Sequence, residues 1–358
     1  MREKINPYHI FMLMYMVQSG VGLFSLPRIT AEYFGTNGWL AVLVVSFIVC
    51  LNIALFYIVY RMGKGRSVFD IMESSVSKFV LFPLYAFVIF VISLTGCLLG
   101  KQYILMFQMI SFQTTPPYIL KLFFEILLYF LLIKGIYNIV KASTVFFYLT
   151  SWMPFLMLYH LGEFEWQRLT PFLFQGETSM IQGIIQIMGS LLGYEVSLYL
   201  IPYVERNSPF FRAVVLGSLY TSLVYLVVCI VSFGFFGFTM LLHLNFPLFD
   251  LFAFIELPFV ERFENLLFIF FIFKVLITTI ISFWIVQLYL GRIFTKAHPK
   301  LLIFMIVLAT YIVSNFADTL TKLSRWLHYL FAMHISLNFL IPIVLIILLN
   351  IQKRQEVT

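Results

Sequence analysis

The sequence has little charge. Asp, Glu, Lys and Arg make up 11% of its 358 residues, whereas hydrophobic residues make up 62%. This balance excludes a water-soluble globular domain and predicts a polytopic membrane protein. The net charge of +7 could suggest nucleic acid, but most Lys and Arg residues fall in short loops between apolar stretches, where they orient membrane helices. A nucleic-acid partner is therefore not predicted.

Cysteine is also scarce, and the familiar catalytic motifs are missing. Cys50, Cys97 and Cys229 lie far apart within apolar stretches, which argues against a disulfide framework or a metal site. The six histidines do not cluster at any metal-ligand spacing. The sequence contains no G-x-S-x-G turn, phosphate-binding loop, H-E-x-x-H helix or paired catalytic carboxylates. Neither an enzyme nor a cofactor nor a metal is predicted.

What the sequence does contain is a series of ten apolar stretches, each close to the roughly 20 residues that a membrane-spanning helix needs. They predict an all-α integral membrane protein with ten transmembrane helices in a single membrane domain. The stretches cover residues 9–34, 38–60, 79–106, 118–134, 142–161, 180–203, 210–237, 265–290, 300–316 and 332–351.

Lys and Arg are concentrated in the loops on one side of these spans. By the positive-inside rule, this bias predicts cytoplasmic N- and C-termini. Residues 317–331 are predicted as an outer loop, although Lys322 and Arg325 fit this orientation least well. Residues 238–264 are too apolar for a free loop, and we expect short helices across the outer mouth.

The first apolar stretch, residues 9–34, interrupts its own helical pattern. Its middle reads SGVGLFSLP from Ser19 to Pro27. Gly lowers helix stability, and Pro removes an N–H group and clashes with the preceding turn. Because lipid cannot satisfy the freed backbone groups, such a break must be buried in protein or line a cavity. The pattern predicts a small-solute or ion site beside Gly20 and Gly22, as in many secondary transporters.

The sixth apolar stretch repeats this pattern. It reads GSLLGYE from Gly189 to Glu195 and reaches Pro202 near its end. Since spans one and six run in opposite directions, matching interruptions predict two inverted halves, roughly 9–161 and 180–351, with the binding site between them. Gly is also common in membrane helices because it allows close packing, and that explanation stays open for either pair alone.

Three motifs occur in order along the chain: SGVGLFSLPR at 19–28, LLGYEVSLYLIP at 191–202 and FVERFENLL at 259–267. In these motifs the chain resembles the B subunits of bacterial spore germinant receptors, which belong to the amino acid–polyamine–organocation superfamily. The resemblance implies a five-plus-five inverted-repeat, LeuT-like fold in the spore inner membrane. It also implies assembly with an A-type membrane subunit and a C-type lipoprotein subunit, and a role in sensing a small nutrient.

The backbone at the two interruptions suits a zwitterionic solute. Half-helix ends present free N–H groups that attract a carboxylate, and freed carbonyls at the opposite ends attract an ammonium group. We therefore predict a small amino acid or a similar solute as the ligand. The candidate positions are Ser19, Gly20, Val21 and Gly22 at the first break and Gly189, Ser190 and Gly193 at the second.

In the fold that the resemblance implies, the third and eighth helices flank the broken pair. Thr95 and Gly96 lie near the middle of the third apolar helix, and Thr278 lies near the middle of the eighth. These three are candidate ligand contacts. The alternative for each Thr is a hydrogen bond to its own helix backbone, which is the usual arrangement.

Two ionisable residues lie within these spans, where charge is costly and usually faces a cavity or a partner. Glu195 follows the second break, and the resemblance supports an acidic residue there. Lys274 lies about 14 Å into the eighth span at 1.5 Å per residue. Both are candidate ligand or proton contacts, with a structural ion pair as the alternative. We predict that they influence each other, directly or through water. Glu125 and Lys101 present the same alternatives, and a structural pair is the prediction for each.

Three functions are compatible with these features. The first is a nutrient sensor that signals to partner subunits, and the second is a secondary transporter that moves an amino acid with a proton. The same fold serves both, and the sequence does not separate them. The third is an interaction subunit whose pocket is unused, but retention of both glycine-rich breaks argues against it.

Overall fold

The computed structural model describes residues 4–172, 174–206, 208–256 and 262–355. It is built from helices. In chain order these are α1 (Pro7–Gln18), α2 (Leu26–Phe34), α3 (Trp39–Gly63), α4 (Val68–Glu73), α5 (Lys78–Ser111), α6 (Pro117–Leu132), α7 (Ile136–Thr150), α8 (Met180–Ser190), α9 (Val196–Leu200), α10 (Phe210–Leu241), α11 (Pro247–Ala253), α12 (Phe263–Ile293), α13 (Pro299–Ser314) and α14 (Leu320–Gln355). Short 3₁₀ turns cover Val21–Phe24, Gly35–Asn37, Met153–Glu163, Trp166–Leu169 and Ile201–Tyr203.

The predicted all-helical membrane architecture is confirmed. In the described part of the chain, six helices are long and apolar enough to cross a membrane, namely α3, α5, the segment Ile136–Glu163, the segment Phe210–His243, α12 and α14. Met180–Ser190 and Pro299–Ser314 are shorter apolar helices. The count of ten spans stays a prediction, as does the division into inverted halves.

The helices α1 and α12 form the centre of the bundle. From Met12 to Gln18 every side chain of α1 is buried, and α1 packs against α7, α10 and α12. The helix α12 packs against α5, α6, α7 and α13 as well as α1. Local signals fix where α1 begins, because Pro7 occupies the first turn and the Asn6 side chain accepts a hydrogen bond from the Tyr8 N–H.

The prediction of an outer loop over residues 317–331 is wrong, because α14 begins at Leu320 and continues through this segment. The polar residues that suggested a loop lie on an exposed face, while Leu323, Leu327 and Leu330 pack inward. The N-terminal part of α14 is therefore an amphipathic helical segment that precedes the apolar stretch 332–351. Residues 257–261 of the segment 238–264 lie outside the described residues, and the described part contains one short helix after α10, namely α11, with Leu248 and Leu251 buried. Its place across the outer mouth stays a prediction.

Candidate functional site: the cavity between two interrupted helices

The first interruption separates α1 from α2. The helix α1 ends at Gln18, and the backbone of Gly20 is extended, with φ −86° and ψ −167°. A 3₁₀ turn from Val21 to Phe24 follows, so Gly22 is outside α-helix although it is in a helical turn. The Ser19 N–H and hydroxyl both donate to the Tyr15 carbonyl, at 2.9 and 2.6 Å. The predicted break is therefore confirmed.

The second interruption separates α8 from α9. Helix α8 ends at Ser190, and Gly193 has a φ of +118°, a conformation that side chains disfavour. A Cβ atom on Gly193 would lie 2.4 Å from Val17 Cγ1. Gly193 therefore permits both the turn and the close approach of the two interrupted segments.

Hydrogen bonds join the two interruptions directly. The Gln18 side-chain Nε2 donates to the Leu191 carbonyl at 2.9 Å. The Tyr225 hydroxyl from α10 lies 2.7 Å from the Gln18 carbonyl and 3.0 Å from the Ser190 carbonyl. Thr278 on α12 donates to the Val17 carbonyl at 2.8 Å. Backbone groups freed by both breaks are thus partly satisfied by neighbouring side chains.

A cavity of about 70 Å³ lies between the interruptions. Space of this size holds several water molecules or a ligand of a few heavy atoms. Polar and small residues are concentrated on its wall. They include Gln18, Gly20, Gly22, Ser25, Gln102, Gln186, Gly189, Ser190, Thr278 and Ser324. Leu99, Leu192, Leu327 and Phe331 contribute apolar surface.

A wider cavity of about 520 Å³ continues from the central one toward the face opposite the chain termini. The two share Ser25, Ile29, Gln102, Gln186 and Ser324. In the wider cavity, Arg28 donates to Asn245 Oδ1 at 2.5 Å and lies 3.7 Å from a carboxylate oxygen of Glu32. This vestibule gives a polar route to the central cavity.

The face that carries the termini is closed beneath the cavity. The Tyr199 and Tyr289 hydroxyls are 2.8 Å apart, and the ring of Tyr85 packs edge-on against Tyr289. The Ile5 N–H donates to the Tyr203 carbonyl at 3.0 Å, which joins the segment before α1 to the segment after α9. The central cavity is therefore reached from the opposite face.

Comparison with known proteins decides the family. Residues 4–323 match the spore permease family, described as "Spore germination protein". The chain belongs to this spore germination protein family. It is 22% identical to spore germination protein GerQB of Bacillus cereus, over 90% of this chain and 89% of the relative. It is 24% identical to spore germination protein A2 of Bacillus subtilis, over 98% and 97% respectively.

The fold of this family member is similar to that of Mhp1, a nucleobase-cation-symport-1 family transporter solved in a closed conformation with bromovinylhydantoin bound. The TM-score is 0.64 at 13% sequence identity, with 92% of this chain and 75% of Mhp1 covered. The match confirms the predicted LeuT-like architecture. At this identity it speaks for the fold alone.

Half of the predicted site residues of this spore germination protein line the central cavity. These are Gly20, Val21, Gly22, Gly189, Ser190 and Thr278. The others lie outside the lining: Ser19, Thr95, Gly96, Gly193, Glu195 and Lys274. Thr95 donates to the Val91 carbonyl of its own helix, the alternative expected for a membrane Thr. A Cβ on Gly96 would lie 2.7 Å from Ser282 Cβ, so Gly96 serves close helix packing.

Glu195 anchors the second interruption. Its Oε2 atom accepts from the Gly193 N–H at 2.8 Å and from Asn338 Nδ2 at 3.3 Å. Its Oε1 atom lies 3.3 Å from His334 Nε2. The Asn338 carbonyl in turn accepts from Asn52 Nδ2 at 3.1 Å. The carboxylate therefore ties the turn before α9 to α14.

Lys274 is buried beside the first break and does not form the predicted direct pair with Glu195. Its ammonium group donates to the Tyr15 hydroxyl at 2.9 Å and lies 4.7 and 4.9 Å from the ring centres of Tyr15 and Phe271. Among the described residues, no carboxylate forms an ion pair with it. A direct contact is absent because Glu195 turns toward α14 and Lys274 toward α1, and an influence through water stays a prediction.

Glu125 forms a buried structural pair with Lys121 at 2.8 Å. Lys121 is fully buried. Lys121 lies one helical turn before Glu125 on α6, a spacing that brings the two side chains together. Lys101 is buried nearby on α5.

The sequence interpretation missed several polar residues of the site. Gln18 directly precedes the first break in an otherwise apolar run, which was a usable signal. His334 and Asn338 are four residues apart within an apolar stretch, so on a helix they share a face. This spacing was a second usable signal. Tyr225 lies in an ordinary apolar span, and nothing in the sequence marks it.

Proposed function

We propose that this protein binds a small zwitterionic solute, such as an amino acid, in the cavity between the two interruptions. One observation carries the proposal. Gln18 is 1% exposed and lines the cavity, yet its Oε1 atom has no hydrogen-bond partner among the described residues. The orientation of this amide follows from its contacts, since Nε2 faces the Leu191 carbonyl, which only accepts. A buried acceptor without a donor is costly, and a ligand ammonium group would supply one.

The rest of the cavity supports a small ligand. The absence of a side chain at Gly20 leaves space in the cavity, and the Gln102 and Gln186 side-chain amides supply N–H donors for a carboxylate. Few charged groups are needed, because the ends of α2 and α8 contribute backbone dipoles at the same place. The ligand therefore fits without a charged side chain in the lining.

We further propose that binding here is the nutrient-sensing step of a spore germinant receptor. The relatives named as spore germination proteins support this role. In this proposal the termini are cytoplasmic, the vestibule faces outward from the spore inner membrane, and A-type and C-type subunits receive the conformational signal. The closed face beneath the cavity keeps the solute from passing through in this state.

The test compares Gly20→Leu with Gly20→Ala in spores. A Cβ on Gly20 would meet Thr278 at an ordinary 3.6 Å, so the Ala variant keeps the fold and most of the cavity. The Leu side chain would fill the cavity, and the germination response should be lost at an unchanged protein level. An unaffected dose response of Gly20→Leu would count against a pocket at this place.

A proton-coupled amino acid transporter is the second candidate. It is favoured by the buried Lys274, which has an aromatic hydroxyl rather than a carboxylate as its partner, and by the transporter fold of Mhp1. Counterflow of labelled alanine in proteoliposomes separates the two functions. Saturable binding without counterflow supports the sensor, whereas counterflow that depends on Lys274 supports the transporter.

A further inference from the structure

Six basic residues gather at the face that carries the termini. They line two adjoining cavities, of about 630 and 920 Å³, and both cavities include Arg61. The first also contains Lys64, Arg66 and Lys353, and the second also contains Arg206 and Arg212. Among the described residues, no Asp or Glu lines either cavity. The result is a concave surface of one sign at the ends of α3, α10 and α14.

These basic groups lack ion-pair partners within the described residues. Arg61 donates to the Tyr57 hydroxyl at 3.0 Å, and Arg66 donates to Gln352 Oε1 at 2.8 Å. Arg292, on the same face, instead lies 3.4 and 3.3 Å from the carboxylates of Asp70 and Glu73. The positive-inside rule accounts for a basic face, but it does not require the uncompensated charges to line shared cavities.

An apolar path leads away from the basic surface along the bundle. Tyr57, Tyr60 and Phe211 form its aromatic border, and Phe211 packs against both tyrosine rings. Leu216 lines the second cavity, and one exposed stripe of α10 continues with Leu219 and Leu223. Aromatic residues beside basic ones are typical of the boundary between headgroups and acyl chains.

We propose that an anionic phospholipid with two phosphates, of the cardiolipin type, binds at this surface. One phosphate lies over each cavity with Arg61 between them, and acyl chains follow the Leu216–Leu223 stripe. Basic pockets between membrane helices on the cytoplasmic side recognise such headgroups. Arg presents a planar fork of donors that suits phosphate oxygens. The site is separate from the central cavity and does not depend on the proposed nutrient.

Native mass spectrometry of the purified full chain in detergent provides the test, with cardiolipin, phosphatidylglycerol and phosphatidylcholine as probes. The variant is Arg61→Gln with Arg212→Gln, and the control removes two exposed charges elsewhere on the same face, Lys296→Gln with Lys300→Gln. Each basic residue removed should lower the affinity roughly fivefold, so Arg61→Gln with Arg212→Gln should weaken cardiolipin binding about 25-fold. The control pair should leave it unchanged. Arg61→Lys with Arg212→Lys should bind cardiolipin more tightly than the Gln pair and less tightly than the native chain, because Lys keeps the charge and loses the planar fork.

Several outcomes would overturn the proposal. Equal losses of cardiolipin binding in the variant and the control would mean that the lipid is held by general charge attraction. If phosphatidylglycerol binds as tightly as cardiolipin, the surface does not select a headgroup with two phosphates. Displacement of cardiolipin by millimolar inorganic phosphate would assign the cavities to free phosphate. Cardiolipin binding that the variant retains in full would place the lipid elsewhere on the chain. Thermal unfolding of each variant in the same detergent checks that a loss of binding is not a loss of fold.

Discussion

The two interruptions place their backbones in different surroundings. From Gln18 to Leu26 the first contains no ionisable side chain, and a Cβ on Gly20 would find only ordinary contacts. The second has Gly193 at a positive φ, with its N–H held by Glu195. Glu195 is held in turn by His334 and Asn338 of α14.

This difference assigns distinct roles to the two segments. The second break is fixed to α14 by a buried polar network, and such networks tolerate little displacement. The first break is joined to its neighbours by single hydrogen bonds from Gln18, Tyr225 and Thr278. We therefore expect a ligand to move α1 and α2 against a second break that stays in place.

The largest effect should come from the buried contact of Glu195. His334→Leu removes the imidazole and leaves the charged carboxylate buried with fewer partners, which should cost about 3 kcal/mol or more of unfolding free energy. Glu195→Gln with His334→Leu should cost less than the sum of the single variants, with a coupling of about 1–3 kcal/mol. Reversible unfolding in a denaturing detergent measures both quantities.

The matched cycle pairs Glu195→Gln with Lys274→Met. Because the two residues contact different helices, their effects should add to within about 0.5 kcal/mol. The opposite result would be coupling between Glu195 and Lys274 together with additivity between Glu195 and His334. It would mean that the second break is anchored through α12 rather than through α14.

Gly193→Ala should have the next largest effect. The new side chain meets a positive φ and would lie 2.4 Å from Val17 Cγ1, so backbone strain and overpacking together should cost about 2–4 kcal/mol. Gly20→Ala, with its nearest contact at 3.6 Å, is the control and should cost well under half as much. Equal thermal stabilities of the two variants would show that the breaks are equally adaptable.

The sequence was most informative where a local rule is strong. The glycines and Pro27 conflict with continuous helix, and so the first break was predictable, as were the apolar spans. The contact between Glu195 and His334 was not predictable, because tertiary packing decides which face of α14 meets the second break. The start of α14 was also missed, since Lys322 and Arg325 resemble loop residues until Leu323 and Leu327 are seen to pack inward.

Gly22→Ala tests the contact between the two breaks at a smaller scale. Its Cβ would lie 2.7 Å from Ser190 Oγ and 3.2 Å from Ser190 Cα. The hydroxyl can rotate away but the backbone cannot, so we expect a loss of about 1–2 kcal/mol. Ser190→Gly removes the hydroxyl and the Cβ together and should restore part of the stability in the double variant. No restoration would mean that the two segments do not meet at this point.

Tyr225→Phe should have the smallest effect, because it deletes a single hydroxyl between the breaks. The hydroxyl carries one proton, so it donates to only one of the Gln18 and Ser190 carbonyls at a time. Hydrogen bonds between membrane helices contribute about 0.6 kcal/mol on average and about 1.7 kcal/mol at most. The control is Tyr311→Phe, whose hydroxyl also donates to a backbone carbonyl, that of Tyr118, but far from both breaks in the chain. Both variants should lose similar stability in detergent unfolding, while only Tyr225→Phe should shift the germination dose response, because it alone loosens the first break from the anchored second one. Equal dose responses would mean that the contact between the breaks is structural and takes no part in sensing.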